Sequence, residues 1–290
     1  MDNFDHIYRI NEVLNVIHRD ITADLSARKL ATTAAYSEQH FHRLFKQVTG
    51  ESVHQYIRRT RLELAANQLM FAPKRSIRLI AETCGFVSLS SFTRAFKSVY
   101  KVTPGKWRSG NESHNRNYYR SDPEINSAYL RIKPLPLPAP EIITLTPRKV
   151  AYLRHIGYDR SIRSAWQTMR AWAESEHRSF DHQIGLHHSN PAWVPLKECR
   201  YVACVGIDKP IIRRGRVNSM TIPGGLHAAF KLEGKYGELL PYISKIVEEW
   251  LPTSGFRAQT TPAFAIYKRN HFLAENEIFE LTFYLPIAML

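Results

Sequence analysis

Phe41-His42-Arg43-Leu44-Phe45-Lys46 and Phe92-Thr93-Arg94-Ala95-Phe96-Lys97 share Phe, Arg, Phe and Lys at an offset of 51 residues, and Tyr56 and Trp107 fall at that same offset. Upstream, Leu30-Ala31-Thr32-Thr33-Ala34-Ala35-Tyr36 matches Ile80-Ala81-Glu82-Thr83-Cys84-Gly85-Phe86 at an offset of 50, so the second copy has one extra residue in its turn. The simplest source of such similarity is a duplicated unit. Each copy reads as helix-turn-helix: a short helix with a small residue (Ala31, Ala81) for close approach, a tight turn, a serine N-cap (Ser37, Ser88), then a second helix. The second helix buries Phe41, Leu44, Phe45 and Val48 in one copy, and Phe92, Ala95, Phe96 and Val99 in the other. Between the copies, Leu62, Ala65, Ala66, Leu69 and Met70 describe an amphipathic linker helix.

Subtracting the buried stripes leaves two outward faces. The first carries Glu38, Gln39, His42, Arg43 and Lys46, the second Leu89, Ser90, Thr93, Arg94 and Lys97. Such faces can be plain solvated helix surface, but their side chains are also able to read DNA: Arg43 can bond bidentately to guanine and Gln39 to adenine, and His42 can donate to an acceptor edge. Leu89 can touch a thymine methyl, Ser90 and Thr93 are permissive, and Lys46, Arg94 and Lys97 suit phosphates. Arg58, Arg59 and Arg61 flank the first face, and Lys101, Lys106 and Arg108 the second. The alternative role for Arg43 and Arg94 is to pair with a local acid and hold the fold.

Composition points the same way. The 290 residues carry a formal net charge of +14, and are 44% hydrophobic with 13 Gly and 16 Pro, a globular balance with room for two domains. Residues 1–120 hold 19 basic against 10 acidic residues, and the remainder 21 against 16, so most of the excess sits with the repeat. Such an imbalance suits a polyanion or an anionic membrane surface. No apolar run reaches membrane-spanning length, and the amino terminus lacks a basic head followed by an apolar stretch, so a cytoplasmic protein is expected. Cys84, Cys199 and Cys204 lie in apolar surroundings without metal-site spacing and read as reduced core residues.

With these residues in view, positions 7–108 resemble the AraC/XylS DNA-binding domain. Ile80-Ala-Glu-Thr-Cys-Gly-Phe86, Ser88, Phe92, Arg94, Phe96-Lys97, Thr103-Pro104 and Trp107-Arg108 carry the resemblance. It implies two recognition helices entering successive major grooves on one face of double-stranded DNA, roughly 34 Å apart, with activation through RNA polymerase. Ala35 departs from the family, which has Gly there; a positive φ at Ala35 costs about 1 kcal/mol. Lys101 stands where the first copy keeps Gly50.

Residues 109–139 read as a linker ending in Pro134-Leu-Pro-Leu-Pro-Ala-Pro140, a stiff extended segment. Beyond it the pattern turns α+β. Val150-Ala-Tyr-Leu-Arg-His-Ile-Gly157 with Trp166 and Trp172 parallels His227-Ala-Ala-Phe-Lys-Leu-Glu-Gly234 with Tyr242 and Trp250, giving two pseudo-symmetric halves. With Arg200-Tyr201-Val-Ala-Cys204 and Leu285-Pro286-Ile287, residues 140–290 resemble the GyrI-like domain. The expected fold is thus an all-α double helix-turn-helix domain followed by an α+β GyrI-like domain.

The second resemblance implies an aromatic groove for a small lipophilic ligand, with Tyr152, Trp166, Tyr201 and Tyr267 as lining candidates. Ordinary core packing is the alternative for each. The family commonly has a glutamate where this chain has Ala265, so the pocket prefers neutral or anionic molecules, recruits Glu280 instead, or binds nothing. Hydrolysis of a small substrate and ligand-free protein interaction remain open as roles for this domain. His177, His182, His187 and His188 are too loosely spaced for a metal site and read as a polar loop. No catalytic motif, metal site or cofactor site is recognisable, so no enzyme activity is expected of the chain as a whole.

Overall fold

The computed structural model describes residues 3–72, 74–109, 118–209, 211, 216–259 and 261–289, which form two units: Met1–Ser113 with Ile212–Asn218, and His114–Ile211 with Ser219–Leu290.

The first unit contains α1 (Asn3–Arg19), α2 (Ala27–Thr33), α3 (Glu38–Thr49), α4 (Val53–Phe71), α5 (Ile77–Thr83), α6 (Leu89–Tyr100) and α7 (Pro104–Ser109). Serine side chains cap the starts of α3, α4, α5 and α6: Ser37, Ser52, Ser76 and Ser88 each accept a hydrogen bond from a backbone N–H of the first turn. At Ser52 the side chain of Gln55 returns the bond, completing a capping box. Ile10, Val13, Leu14 and Ile17 of α1 pack with Leu30, Ala31, Phe41, Leu44 and Phe45 in one core.

The duplication is reproduced in the packing of the rings. Phe41 and Phe45 meet edge to face at 5.6 Å, and Phe92 and Phe96 at 5.5 Å, both with rings at 63°. Tyr56 meets Phe45 at 5.6 Å, and Trp107 meets Phe96 at 5.6 Å. The turns close alike, Tyr36 N–H on the Ala31 carbonyl and Phe86 N–H on the Ala81 carbonyl, each at 3.0 Å. Trp107 also donates its indole N–H to the Ala66 carbonyl of α4, fastening the second copy to the linker helix.

One expected core residue is displaced: Val99 is 47% exposed, and Tyr100 takes its place, its ring tilted at 44° against both Phe96 and Trp107. Ala35 does adopt positive φ, at 53°, in the turn where Gly85 stands at 80°; Lys101, at 64°, ends α6 as Gly50 at 82° ends α3.

The second unit starts earlier than the sequence suggested. Within the expected linker, residues 110–117 lie outside the described residues, but Pro123–Ile132 form a helix, α8, capped by Asp122 with Pro123 at its first turn. Ile125, Ala128 and Ile132 are buried, Arg131 pairs with Glu238 at 3.0 Å, and the Lys245 ammonium donates to the carbonyls of Lys133 and Leu135. These contacts make α8 part of the second unit.

There follow β1 (Glu141–Leu145), β2 (Arg148–Ile156), α9 (Ile162–Ser175), β3 (Gln183–His187), β4 (Arg200–Gly206), β5 (Asn218–Ile222), β6 (Gly225–Lys235), α10 (Leu239–Lys245), β7 (Phe256–Ala258), β8 (Ala263–Arg269) and β9 (Ile278–Met289). Strand order is β1-β6-β9-β8-β3-β4-β2-β5, with β7 pairing on β9. The order is itself a pseudo-twofold: β2, α9, β3 and β4 correspond to β6, α10, β8 and β9, and the halves join where β3 pairs with β8. Tyr152 lies opposite Cys204, and its counterpart Ala229 lies opposite Tyr284. Gly185 pairs with Ala265 at the centre of the junction.

Candidate nucleic-acid interface

The sequence-selected side chains of α3 and α6 lie on the solvent side of their helices because Phe41, Phe45, Phe92 and Phe96 hold the other side in the core. Gln39, Arg43 and Lys46 are exposed on α3, and Leu89, Ser90, Arg94 and Lys97 on α6; Thr93 is half-buried. Neither Arg43 nor Arg94 makes an ion pair among the described residues, so the fold-holding alternative finds no acid. His42 is partly engaged: its Nε2 lies 3.9 Å from Glu38, and its ring sits 5.7 Å from that of His54.

The flanking basic residues require correction. Arg59 is drawn inward, bonded to Glu51 at 3.0 Å and Glu63 at 2.6 Å and lying over the Tyr56 ring. Arg61 donates to the Ile21 carbonyl at 3.2 and 3.1 Å. Both serve the fold. Arg58 stays exposed and bonds Ser98 of α6 at 2.7 Å, joining the linker helix to the second recognition helix.

In the second unit, three of the four expected groove aromatics meet. The Trp166 indole N–H donates to the Tyr201 hydroxyl at 3.2 Å, and that hydroxyl lies 3.2 Å from the Tyr267 hydroxyl. Burial pushes both tyrosine pKa values up, so the pair is neutral. Tyr201 presses so closely on β3 that a Cβ at Gly185 would sit 2.2 Å from its hydroxyl. Tyr152 is a correction: it faces the opposite side of the sheet, packed with Val150, Ile184, Leu186, Val202, Cys204 and Phe264. All four side chains are buried, and the Trp166 ring meets those of Tyr201 and Tyr267 edge to face at 6.5 and 5.8 Å.

Ala265 is fully buried on this same face. Glu280 does not substitute for the family's glutamate: strand alternation turns it to the other face, where Lys268 bonds it at 2.5 Å. The sequence reading of a polar loop at His187 and His188 is corrected beside the cluster, and His271 was missed. His187 lies at the end of β3 rather than in a loop, its ring 5.6 Å from Tyr201, with both nitrogens buried and unbonded among the described residues. Burial lowers its pKa to about 4, and those of His188 and His271 to about 3. No group of three or more His, Cys, Asp or Glu among the described residues is arranged to hold a metal ion. Cys84, Cys199 and Cys204 are buried, and none is in a disulfide among the described residues. No helix among the described residues is long and apolar enough to cross a membrane.

Residues 138–288 match the GyrI-like small molecule binding domain, and residues 30–110 match a helix-turn-helix domain. The chain belongs to the AraC/XylS regulators that carry a GyrI-like carboxy-terminal domain. It is 36% identical over 118 residues to the multiple antibiotic resistance protein MarA of Escherichia coli (39% of this chain, 92% of MarA) and 41% identical over 103 residues to the TetD protein of transposon Tn10 from Escherichia coli (36% and 74%). It is 35% identical over 104 residues to the probable transcriptional regulator LumQ of Photobacterium leiognathi, 35% of this chain, and the match spans 42% of LumQ's length. Among solved structures, the DNA-binding domain of AdpA in complex with a target DNA aligns at 23% identity with a TM-score of 0.35, covering 36% of this chain and 94% of that one. The EcmrR carboxy-terminal domain aligns at 12% identity with a TM-score of 0.42, covering 52% and 98%. By the two family matches and the similarity to MarA, the amino-terminal unit is an AraC-type DNA-binding domain, followed by an α+β GyrI-like domain.

Proposed function

We propose that this regulator binds promoter DNA in the cytoplasm through residues 7–108, with α3 and α6 in successive major grooves. Gln39, His42 and Arg43 contact bases from α3, and Leu89, Ser90 and Thr93 from α6, while Lys46, Arg94 and Lys97 hold phosphates. The observation that carries this reading is the repeated, outward-facing arginine: Arg43 and Arg94 occupy the same helical position in both copies, exposed and without an acidic partner among the described residues. Activation through contact with RNA polymerase is the regulatory outcome that the family resemblance supports. The test is an anisotropy titration of the full chain against duplexes selected from a random pool, over a range of salt. Sequence-selective binding whose affinity falls steeply with salt supports the reading; equal affinity for selected and random duplexes refutes it.

Residues 140–290, together with α8, form the effector domain in this reading. A neutral lipophilic molecule is the ligand that Ala265 supports, because a desolvated cation there meets no buried carboxylate. The same alanine leaves acid-base hydrolysis without a group at that position. A second reading, protein interaction without a ligand, is favoured by the burial and mutual hydrogen bonding of Trp166, Tyr201 and Tyr267. Calorimetric titration with matched neutral and cationic lipophilic compounds separates them: heat from the neutral compound alone supports sensing, heat from neither supports interaction, and tight cation binding refutes the ligand class.

A further inference from the structure

The second copy has one residue that the first lacks, and the structure identifies it. The two turns close with the same hydrogen bond up to Tyr36 and Phe86, and both recognition helices begin with a serine cap, Ser37 and Ser88, that accepts from the backbone N–H three residues on. Tyr36 is followed directly by Ser37, whereas Val87 stands between Phe86 and Ser88. Val87 is completely exposed, and Leu89, on the other side of the cap, is 44% exposed. The first copy has nothing comparable: Glu38 and Gln39 occupy the start of its helix. An apolar pair has thus been placed at the tip of one recognition helix and left uncovered by its own unit.

The rest of α6 says what covers it. From Leu89 to Tyr100 the helix has no acidic residue, and Arg94 and Lys97 are exposed. A basic, acid-free helix suits a polyanion, and the amino-terminal end of a recognition helix is the part that reaches base edges. The outward face of α6 offers no side chain able to bond a base bidentately except Arg94, which lies more than a turn from the tip. On a polyanion with bases in its groove, the apolar feature a valine and a leucine can read is the thymine 5-methyl group.

We infer that Val87 and Leu89 form a methyl-reading tip, so that the second helix-turn-helix selects thymines by apolar contact while the first selects bases by hydrogen bonding. The inference rests on the DNA-binding reading above and adds the chemistry of the second half-site. Its scale follows from burial of one methyl group, about fourfold in affinity per thymine.

The experiment uses the full chain and a duplex selected from a random pool, with thymines of the second half-site replaced one at a time by deoxyuridine, which lacks only the methyl group. Wild type should bind each contacted-position duplex about fourfold more weakly, and 5-methylcytosine should be preferred to cytosine at the same position. The Val87→Ser, Leu89→Ser double variant should bind thymine and deoxyuridine duplexes equally and retain its base preferences in the first half-site, and Val87→Ser alone, at a completely exposed position, should melt at the wild-type temperature. Equal binding of thymine and deoxyuridine duplexes by wild type, at a site that still discriminates bases in the first half, overturns the inference alone. Failure to select any sequence overturns the DNA-binding reading with it.

Discussion

The Arg61 guanidinium lies against Gly85 so closely that a Cβ there would stand 2.7 Å from Nε, while the same group donates to the Ile21 carbonyl. One side chain of α4 thereby touches both the turn of the second helix-turn-helix and the chain leading into the first. Gly85 also sits at a φ of +80°, so two independent reasons exclude a side chain. Gly85→Ala should lower stability by more than about 1 kcal/mol in chemical unfolding. Arg61→Ala should relieve the steric part, so the double variant should be less destabilised than the sum of the singles. Strict additivity would mean that the two residues are not coupled.

The turn of the first copy offers the reverse experiment. Ala35 adopts φ 53°, and its carbonyl accepts from Arg9 through backbone atoms that survive substitution. Ala35→Gly should raise stability by about 0.5 kcal/mol, the left-handed cost of alanine exceeding the added entropy of unfolded glycine. Lys101→Gly should gain less, because the Lys101 ammonium bonds the Ser98 carbonyl and that bond is lost.

Acid should weaken the second unit. His187, His188 and His271 are held neutral by burial, with pKa values of about 4, 3 and 3, against about 6.5 when unfolded. The folded chain therefore binds fewer protons than the unfolded chain below pH 6.5. The stability they contribute is complete above that pH and is lost as pH falls toward the folded values, by up to about 1.4 kcal/mol per pH unit for each histidine. Unfolding titrations at pH 7.5, 6 and 5 should show this slope, and His271→Phe, which suits the surrounding Tyr236, Tyr267, Phe272 and Phe279, should flatten it.

Arg160 is the hub that holds α8 to the second unit: it bonds Glu124 of α8 and Glu277 bidentately and lies 3.9 Å from the centre of the Tyr236 ring. Burial pushes the Tyr236 hydroxyl up to about 12. Arg160→Ala should leave the sheet folded but raise the rate of limited proteolysis within α8. An unchanged cleavage pattern would mean that the buried side of α8, through Ile125, Ala128 and Ile132, suffices.

The sequence disclosed what depends on short-range spacing and hid what depends on a distant partner. The edge-to-face cluster of Phe41, Phe45 and Tyr56 and its copy were legible because one helix turn and a fixed offset determine them. The inward turn of Arg59 and Arg61 was not, since it requires Glu51, Glu63 and the Ile21 carbonyl to come together in space. Asp122-Pro123-Glu124 was a readable helix start, obscured by the polar stretch before it and the prolines after it. Tyr152 and Tyr201 were placed in one groove because aromatic composition says nothing of sheet register; pairing Tyr152 with Cys204 sends them to opposite faces. Val87 was visible only as an unmatched residue until its exposure was known.

In the proposed function one chain reads two successive major grooves, the first by hydrogen bonds from Arg43. Methylation interference at guanine N7 on a selected duplex tests it most directly, comparing wild type with Arg43→Ala. Two clusters of interference about one helical turn apart on one face are predicted, and Arg43→Ala should abolish interference at one guanine of one cluster while weakening specific binding by about 1–3 kcal/mol. A single cluster, or a pattern and affinity unchanged in Arg43→Ala, would contradict it.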